Sequence, residues 1–226
     1  MPQDRSSIFE RLKESCLDEW QAYVGHQFVR QLALGTLPEE NFRHYLVQDY
    51  LFLIHFARAY ALAAYKADTL DDMRRAAANL SATVTIEMNL HLDFCSSWGL
   101  TASDVETAPE ASATLAYTRY VLERGMAGDL LDLQIALSPC ALGYAEIGCR
   151  LLKDPETRLE GNPYRRWIEE YGGDDFQRLA RESSDYLDQL AECRLTESRY
   201  PYIAQTFAQA TRLETQFWQM GLTLAT

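Results

Sequence analysis

GDLLDLQIALSPCALGYAEIGCRLL, residues 128–152, decides how the rest of the chain is read. The stretch is long, largely apolar and free of basic residues until Arg150. An apolar segment of helical length belongs in the core of a helical protein. Its midpoint departs from that pattern: Ser138, Pro139 and Cys140 stand together, and Tyr144 comes one helical turn after the cysteine. Two local geometries are open. In one, Ser138 caps a fresh helix with Pro139 at its first position, and Cys140 falls in a first turn where the helix dipole favours a thiolate. In the other, a single helix continues through with a kink, because Pro139 cannot donate to the carbonyl of Ile135. That geometry opens space and does nothing for a thiolate. Taken alone, a cysteine in an apolar helix is an inert core thiol more often than a nucleophile.

Around this stretch helical periodicity runs almost throughout, and no alternating β-branched run closes on Asn-Gly or Asp-Gly. A first helix is expected from a cap at Ser6–Ser7 to about Val24, then a short one over Gln27–Leu34 and a turn at Gly35–Pro38. The clearest helix covers roughly Glu39–Ala67. Phe42, Tyr45, Leu46, Phe52, Leu53, Phe56, Tyr60 and Ala63 share one face by steps of three and four, and Asp49 interrupts that stripe with a carboxylate. An aspartate buried there must be bonded or paired, either to a neighbouring helix or to a polar ligand. The stripe leaves both open.

Further helices are expected over Asp71–Trp98 (one or a pair), 110–126, Tyr164–Tyr171, from Asp174 or Asp175 to about Cys193, and Ser198–Leu222. Thr101–Pro109 reads as the longest loop. In the last helix Glu214 sits on a stripe with Ile203, Phe207, Ala210, Phe217 and Gly221. Without repeats or linkers, this is an all-α chain forming one domain over residues 1–226, with helices too unequal for a symmetric four-helix bundle.

Composition narrows the function. The 226 residues are 47% apolar, enough for a large core, and carry a net charge of −12 with no Lys/Arg run. That argues against a nucleic-acid partner, whose phosphate backbone needs a basic patch. Five cysteines, an odd number with no CxxC pair, read as reduced thiols of a cytoplasmic protein. The opening residues MPQDRSSIFERLKE show no apolar leader core. The apolar run 45–66 is broken by Asp49, His55 and Arg58, so no membrane span is expected.

Glu87 and His91 stand at i and i+4, but di-iron bundles use Glu-x-x-His and use it twice, which disfavours metal. A haem reading, with His26 as the histidine nearest an early helix end, is weaker still. No Gly-rich phosphate loop or G-x-S-x-G elbow occurs, and no motif ties a histidine to Cys140. What singles Cys140 out is company: Asp49 and Glu214 also lie on core faces, and tyrosines abound. Such a set suits a polar, aromatic, nitrogen-rich ligand, because carboxylates accept from exocyclic amines and aromatic rings stack.

Three segments in order carry a resemblance. His26-Gln27-Phe28, Leu34-Gly35-x-Leu37 and Phe42-x-x-Tyr45-x-x-Gln48-Asp49 form an opening motif. Ser138-Pro139-Cys140-x-x-x-Tyr144-x-Glu146-Ile147-Gly148 forms a central one, and Leu213-Glu214-x-x-Phe217-Trp218 a closing one. Together they resemble the TenA/thiaminase II family, in its cysteine-bearing branch, over nearly the whole chain. The resemblance implies the multi-helix fold shared with haem oxygenases. It implies an aminopyrimidine aminohydrolase or thiaminase II of thiamine salvage, working without metal or cofactor and assembled as a homotetramer.

By the same resemblance Cys140 is the nucleophile that adds to C6 of a 4-amino-2-methylpyrimidine, and Glu214 serves the ring nitrogen and proton traffic. Asp49 anchors the 4-amino side, Tyr117 and Tyr144 hydrogen-bond around the cysteine, Phe217 packs on the ring and Tyr171 closes the pocket. Phe52 stands where many members carry tyrosine, keeping an aromatic wall without its hydroxyl. The alternatives are a non-catalytic pyrimidine-binding or regulatory protein and, further off, a di-iron oxidase on the same fold.

Overall fold

A computed structural model describes residues 6–226; the first five residues of the segment read for a leader lie outside it. The described residues form helices and no strand. In chain order the helices are α1 (Ile8–Ser15), α2 (Leu17–Val24), α3 (Gln27–Leu34), α4 (Glu39–Lys66) and α5 (Leu70–Ala82), then a π-helical segment (Thr83–Glu87). After it come α6 (Met88–Ser97), α7 (Ala102–Glu106), α8 (Ser112–Ala127), α9 (Leu130–Lys153), α10 (Arg165–Gly172), α11 (Asp174–Arg194) and α12 (Tyr200–Thr223).

Packing gathers these helices into two compact units, each discontinuous in sequence. One comprises the described residues up to Leu37 and Ile135–Thr215; the other comprises Pro38–Gln134 and Gln216–Thr226. The chain passes between them after Leu37, within α9 and within α12.

In the first unit the start matches the expected cap: the Ser7 hydroxyl accepts from the Glu10 amide. The helix does not continue to Val24, however. It breaks at Cys16, whose φ of −141° is outside the helical range. His26 caps α3, its Nδ1 accepting from the Phe28 amide. Gly35 ends that helix in the left-handed conformation at φ 67°, where a side chain would be strained. Asn162 closes the same turn, its amide donating to the carbonyls of Leu32, Ala33 and Arg158. Phe9, Trp20 and Phe207 form an aromatic core in which Trp20 stacks on Phe207 at 5.7 Å.

In the second unit α4 packs against α5, α6 and α8. Its predicted stripe is buried from Phe42 to Ala63 apart from Tyr60, which is half-buried. Gln48 joins α4 to the start of α8. Its Nε2 donates to the Pro109 carbonyl, and its Oε1 accepts from the Ala111 amide and the Thr114 hydroxyl. The expected loop over Thr101–Pro109 contains a one-turn helix, set by a reciprocal capping box between Thr101 and Asp104.

α9 is a single helix with Pro139 inside it. Its length and composition alone would suffice to cross a membrane, but 67% of the apolar window is buried inside the protein. An apolar surface spent on packing is how a core helix passes the same test.

Candidate active site

Of the eight residues singled out from the sequence, the first unit holds Cys140, Tyr144, Tyr171 and Glu214, and the second holds Asp49, Phe52, Tyr117 and Phe217. Seven are buried; Cys140 is half-buried.

The surroundings of Cys140 are built from backbone repairs. Pro139 has no N–H, so the Ile135 carbonyl lacks its usual helical donor. The Ser138 hydroxyl takes that place, donating to the Ile135 oxygen at 2.9 Å. On the next turn the Tyr23 hydroxyl donates to the Pro139 carbonyl at 3.2 Å. Tyr23 can approach because residue 143 is glycine: a Cβ there would fall 2.2 Å from the Tyr23 ring. Of the two geometries left open at Pro139, the structure takes the continuous helix. Cys140 therefore lies in a helix interior, and no first-turn dipole acts on its thiol.

Further along α9 a second glycine sets the tyrosines. A Cβ on Gly148 would fall 2.3 Å from the Tyr171 carbonyl carbon, so α9 and α10 touch backbone to backbone at this point. That contact brings the Tyr171 ring to 4.9 Å from Tyr144, edge to face, with Trp167 at 4.6 Å and Phe176 at 4.9 Å from Tyr171. Gln177 fastens the crossing, its side-chain amide donating to the carbonyls of Ala145 and Tyr171. Sequence reasoning misses Gln177 and Trp167; both lie in helices whose local pattern points only to a core face. Glu146 of the central motif is held by Trp20 Nε1 at 3.1 Å and Lys13 Nζ at 3.2 Å.

In the second unit Phe52 lies 4.9 Å from Tyr117 and 5.8 Å from Phe217, ring to ring, so three of the expected residues form one aromatic wall. Tyr45 extends it, 6.1 Å from Phe217 and 5.2 Å from Trp218. One turn before Phe52, Asp49 Oδ2 accepts from the Tyr45 hydroxyl at 3.1 Å and lies 2.7 Å from His91 Nε2. His91 is a residue whose partner the sequence does not reveal, since helical spacing relates it only to Glu87, as a metal pair. Its Nδ1 instead faces the Glu87 backbone carbonyl at 2.8 Å, so both ring nitrogens are engaged within the protein. Burial pulls the His91 pKa down, but the hydrogen bond to Asp49 and the charges of Asp49 and Glu87 outweigh it and set it above the ordinary 6.5. The buried carboxylate is thus paired, as its position on a core stripe requires.

A family model described as the TENA/THI-4/PQQC family matches residues 14–224. The chain is 36% identical to an aminopyrimidine aminohydrolase of Halalkalibacterium halodurans over 95% of both sequences. It is 30% identical to another from Bacillus subtilis over 94% of this chain and 88% of that one. Among solved structures, a TenA family transcription regulator from Silicibacter sp. TM1040 superposes with a TM-score of 0.90 at 44% identity, covering 99% of this chain and 100% of that one. A Shewanella denitrificans domain with a heme oxygenase-like fold matches at a TM-score of 0.74 and 15% identity, over 96% of this chain and 92% of that one. That match carries the fold alone.

Proposed function

The chain belongs to the TENA/THI-4/PQQC family, and from that premise we propose that it hydrolyses 4-amino-5-aminomethyl-2-methylpyrimidine, thiamine or both, in thiamine salvage. The observation that carries this reading is the end-to-end identity with two aminopyrimidine aminohydrolases. The named residues take the roles the family resemblance gives them. The Cys140 thiolate adds to ring C6, and its electron pair drives out the group on the C5 methylene, as ammonia or as the thiazole. Water replaces the departed group, and the thiolate leaves C6 to restore the ring as hydroxymethylpyrimidine.

Glu214 moves the proton at the ring nitrogen, and Asp49 accepts from the 4-amino group. Tyr117 and Tyr144 hydrogen-bond around the thiol and the substrate, while Phe52, Phe217 and Tyr171 bound the ring. A paired, buried Asp49 beside the Phe52–Tyr117–Phe217 wall supports the recognition half of this assignment. The half-buried state of Cys140 supports the other, because a nucleophile must be reachable. With the helix dipole out of play, activation of the thiol falls to neighbouring side chains. No cofactor enters this chemistry, and the protein acts as a cytoplasmic homotetramer.

A second reading is a pyrimidine-binding protein without catalysis; the description of the Silicibacter relative as a transcription regulator favours it. The net charge of −12 gives no nucleic-acid surface to go with such a role. Incubating the purified protein with aminomethylpyrimidine and, separately, with thiamine decides between the two. Release of hydroxymethylpyrimidine from either supports hydrolysis. Binding of pyrimidine without turnover of either compound leaves the second reading in its place.

A further inference from the structure

Asp49 and His91 come from different helices, 42 positions apart, and meet in the interior of one unit. His91 is only 3% exposed, and Asp49 5%. The contact to the Glu87 carbonyl at 2.8 Å requires a hydrogen on Nδ1, because a carbonyl only accepts. The contact to Asp49 at 2.7 Å requires another on Nε2 when the carboxylate is ionised. The two bonds together describe an imidazolium against a carboxylate. The raised pKa of His91 agrees with that state.

How the ring reaches Asp49 also has a local cause. The π segment Thr83–Glu87 lies directly before α6. Such a segment adds a residue to one turn, and so rotates the helix after it relative to the helix before it. His91 lies one turn beyond the segment and anchors back onto its last carbonyl.

Both bonds to Asp49 land on Oδ2, one from Tyr45 and one from His91. Oδ1 takes part in neither. A carboxylate clamped through one oxygen holds the other in a fixed direction. Its charge is also matched, so an approaching donor gains a hydrogen bond without a bare ion pair.

We propose that His91 is a positioning residue for ligand recognition: through Oδ2 it holds Asp49 so that Oδ1 accepts from the amino group of a neutral aminopyrimidine. The inference rests on the assignment of Asp49 as the anchor of that amino group. It deepens that assignment by naming what sets the selectivity. A neutral amino edge is favoured over an oxo edge, which would bring an acceptor against an acceptor.

The test compares equilibrium binding of 4-amino-5-hydroxymethyl-2-methylpyrimidine with that of its 4-oxo analogue. The wild type, Asp49→Ala, His91→Ala and His91→Gln are measured, each with its circular dichroism. The wild type prefers the amino compound by roughly tenfold or more, the scale of one charge-assisted hydrogen bond. His91→Ala loses most of that preference, with oxo binding unchanged, and its turnover shows a raised KM against a kcat within a few-fold. His91→Gln still offers a donor to Oδ2 and regains at least part of the preference. Asp49→Ala, which removes the acceptor, loses the preference altogether.

A folded His91→Ala protein with wild-type preference, while Asp49→Ala has lost it, overturns the positioning role and leaves the anchor standing. Wild-type preference in a folded Asp49→Ala protein overturns the anchor and this inference with it. Should His91→Ala not fold, the wild type supplies the readout. The charged groups acting on His91 are Asp49 from α4 and Glu87 from the π segment. The amino preference then falls as pH rises through the His91 titration, monitored by nitrogen NMR of the ring. A preference that stays flat through that titration contradicts the proposal.

Discussion

Around Asp49, in one compact unit, the polar cost of burial is met by an ion pair; around Cys140, in the other, it is met by donors to backbone carbonyls. Asp49 is compensated by side chains from two helices, His91 and Tyr45. The helix around Cys140 is compensated by Ser138 and Tyr23, which donate to the carbonyls of Ile135 and Pro139. In the proposed roles the difference comes from what each region has to present. A carboxylate that recognises a ligand must keep its charge and direction, so it needs a charged, oriented partner. A thiol in a proline-bearing helix needs the backbone around it stabilised while the sulfur stays accessible, and small residues at positions 143 and 148 let neighbours come close enough to do that.

The largest expected effects come from the ion-pair side. Asp49→Ala leaves the buried His91 Nε2 without its carboxylate, at a cost of about 3–5 kcal/mol in denaturant unfolding. Leu46→Ala on the same stripe costs about 2–5 kcal/mol by leaving a cavity. The comparison is sharpened by ligand binding: Asp49→Ala weakens hydroxymethylpyrimidine binding well beyond Leu46→Ala. Equal binding losses in the two variants would reduce Asp49 to a structural residue.

On the other side, Gly148→Ala sets a methyl against the Tyr171 backbone and lowers stability by about 1–3 kcal/mol, read by thermal unfolding. It also separates Tyr144 from Tyr171, so turnover falls by more than the folded fraction does. Ser138→Ala is milder. It removes the substitute donor from Ile135 and costs about 1 kcal/mol. A neutral Ser138→Ala would show that the proline-bearing turn needs no such repair.

The smallest effect separates the two units by pH. His91 keeps its proton to higher pH in the folded state than its ordinary 6.5. Its stabilising contribution is therefore complete below that ordinary value and drains away as pH rises through the raised folded value. Urea midpoints of the wild type fall as pH rises through the folded-state titration, and those of His91→Gln lack this component. Ser138→Ala, which touches no titrating group, keeps the wild-type slope.

Much of this architecture is written locally. Gln27–Leu34 is bounded by a capping His26 and by Gly35, and its limits come from those two residues. The α4 stripe fixes the buried face, and with it the position of Asp49 and Phe52, without reference to packing. The break at Cys16 has no such sign, because neither glycine nor proline stands there. The capping box of Thr101 and Asp104 is present in the sequence, but the loop signals around it mask a single turn of helix.

The His91–Asp49 contact is invisible in the sequence for a different reason. Helical spacing relates His91 to Glu87, and the actual partner lies on another helix. The family resemblance names Asp49 without naming what holds it. Likewise Gln177 and the Gly148 crossing serve a contact between helices that no spacing rule reaches.

The central claim is that this chain is a hydrolase whose nucleophile is Cys140, and one paired measurement tests it most directly. Turnover of aminomethylpyrimidine by wild type and Cys140→Ala is monitored through ammonia and hydroxymethylpyrimidine, alongside equilibrium binding of the product to both proteins. The account predicts turnover by the wild type and a loss on the order of a thousandfold or more in Cys140→Ala, with product binding held within a few-fold. Wild-type rates in Cys140→Ala would contradict it.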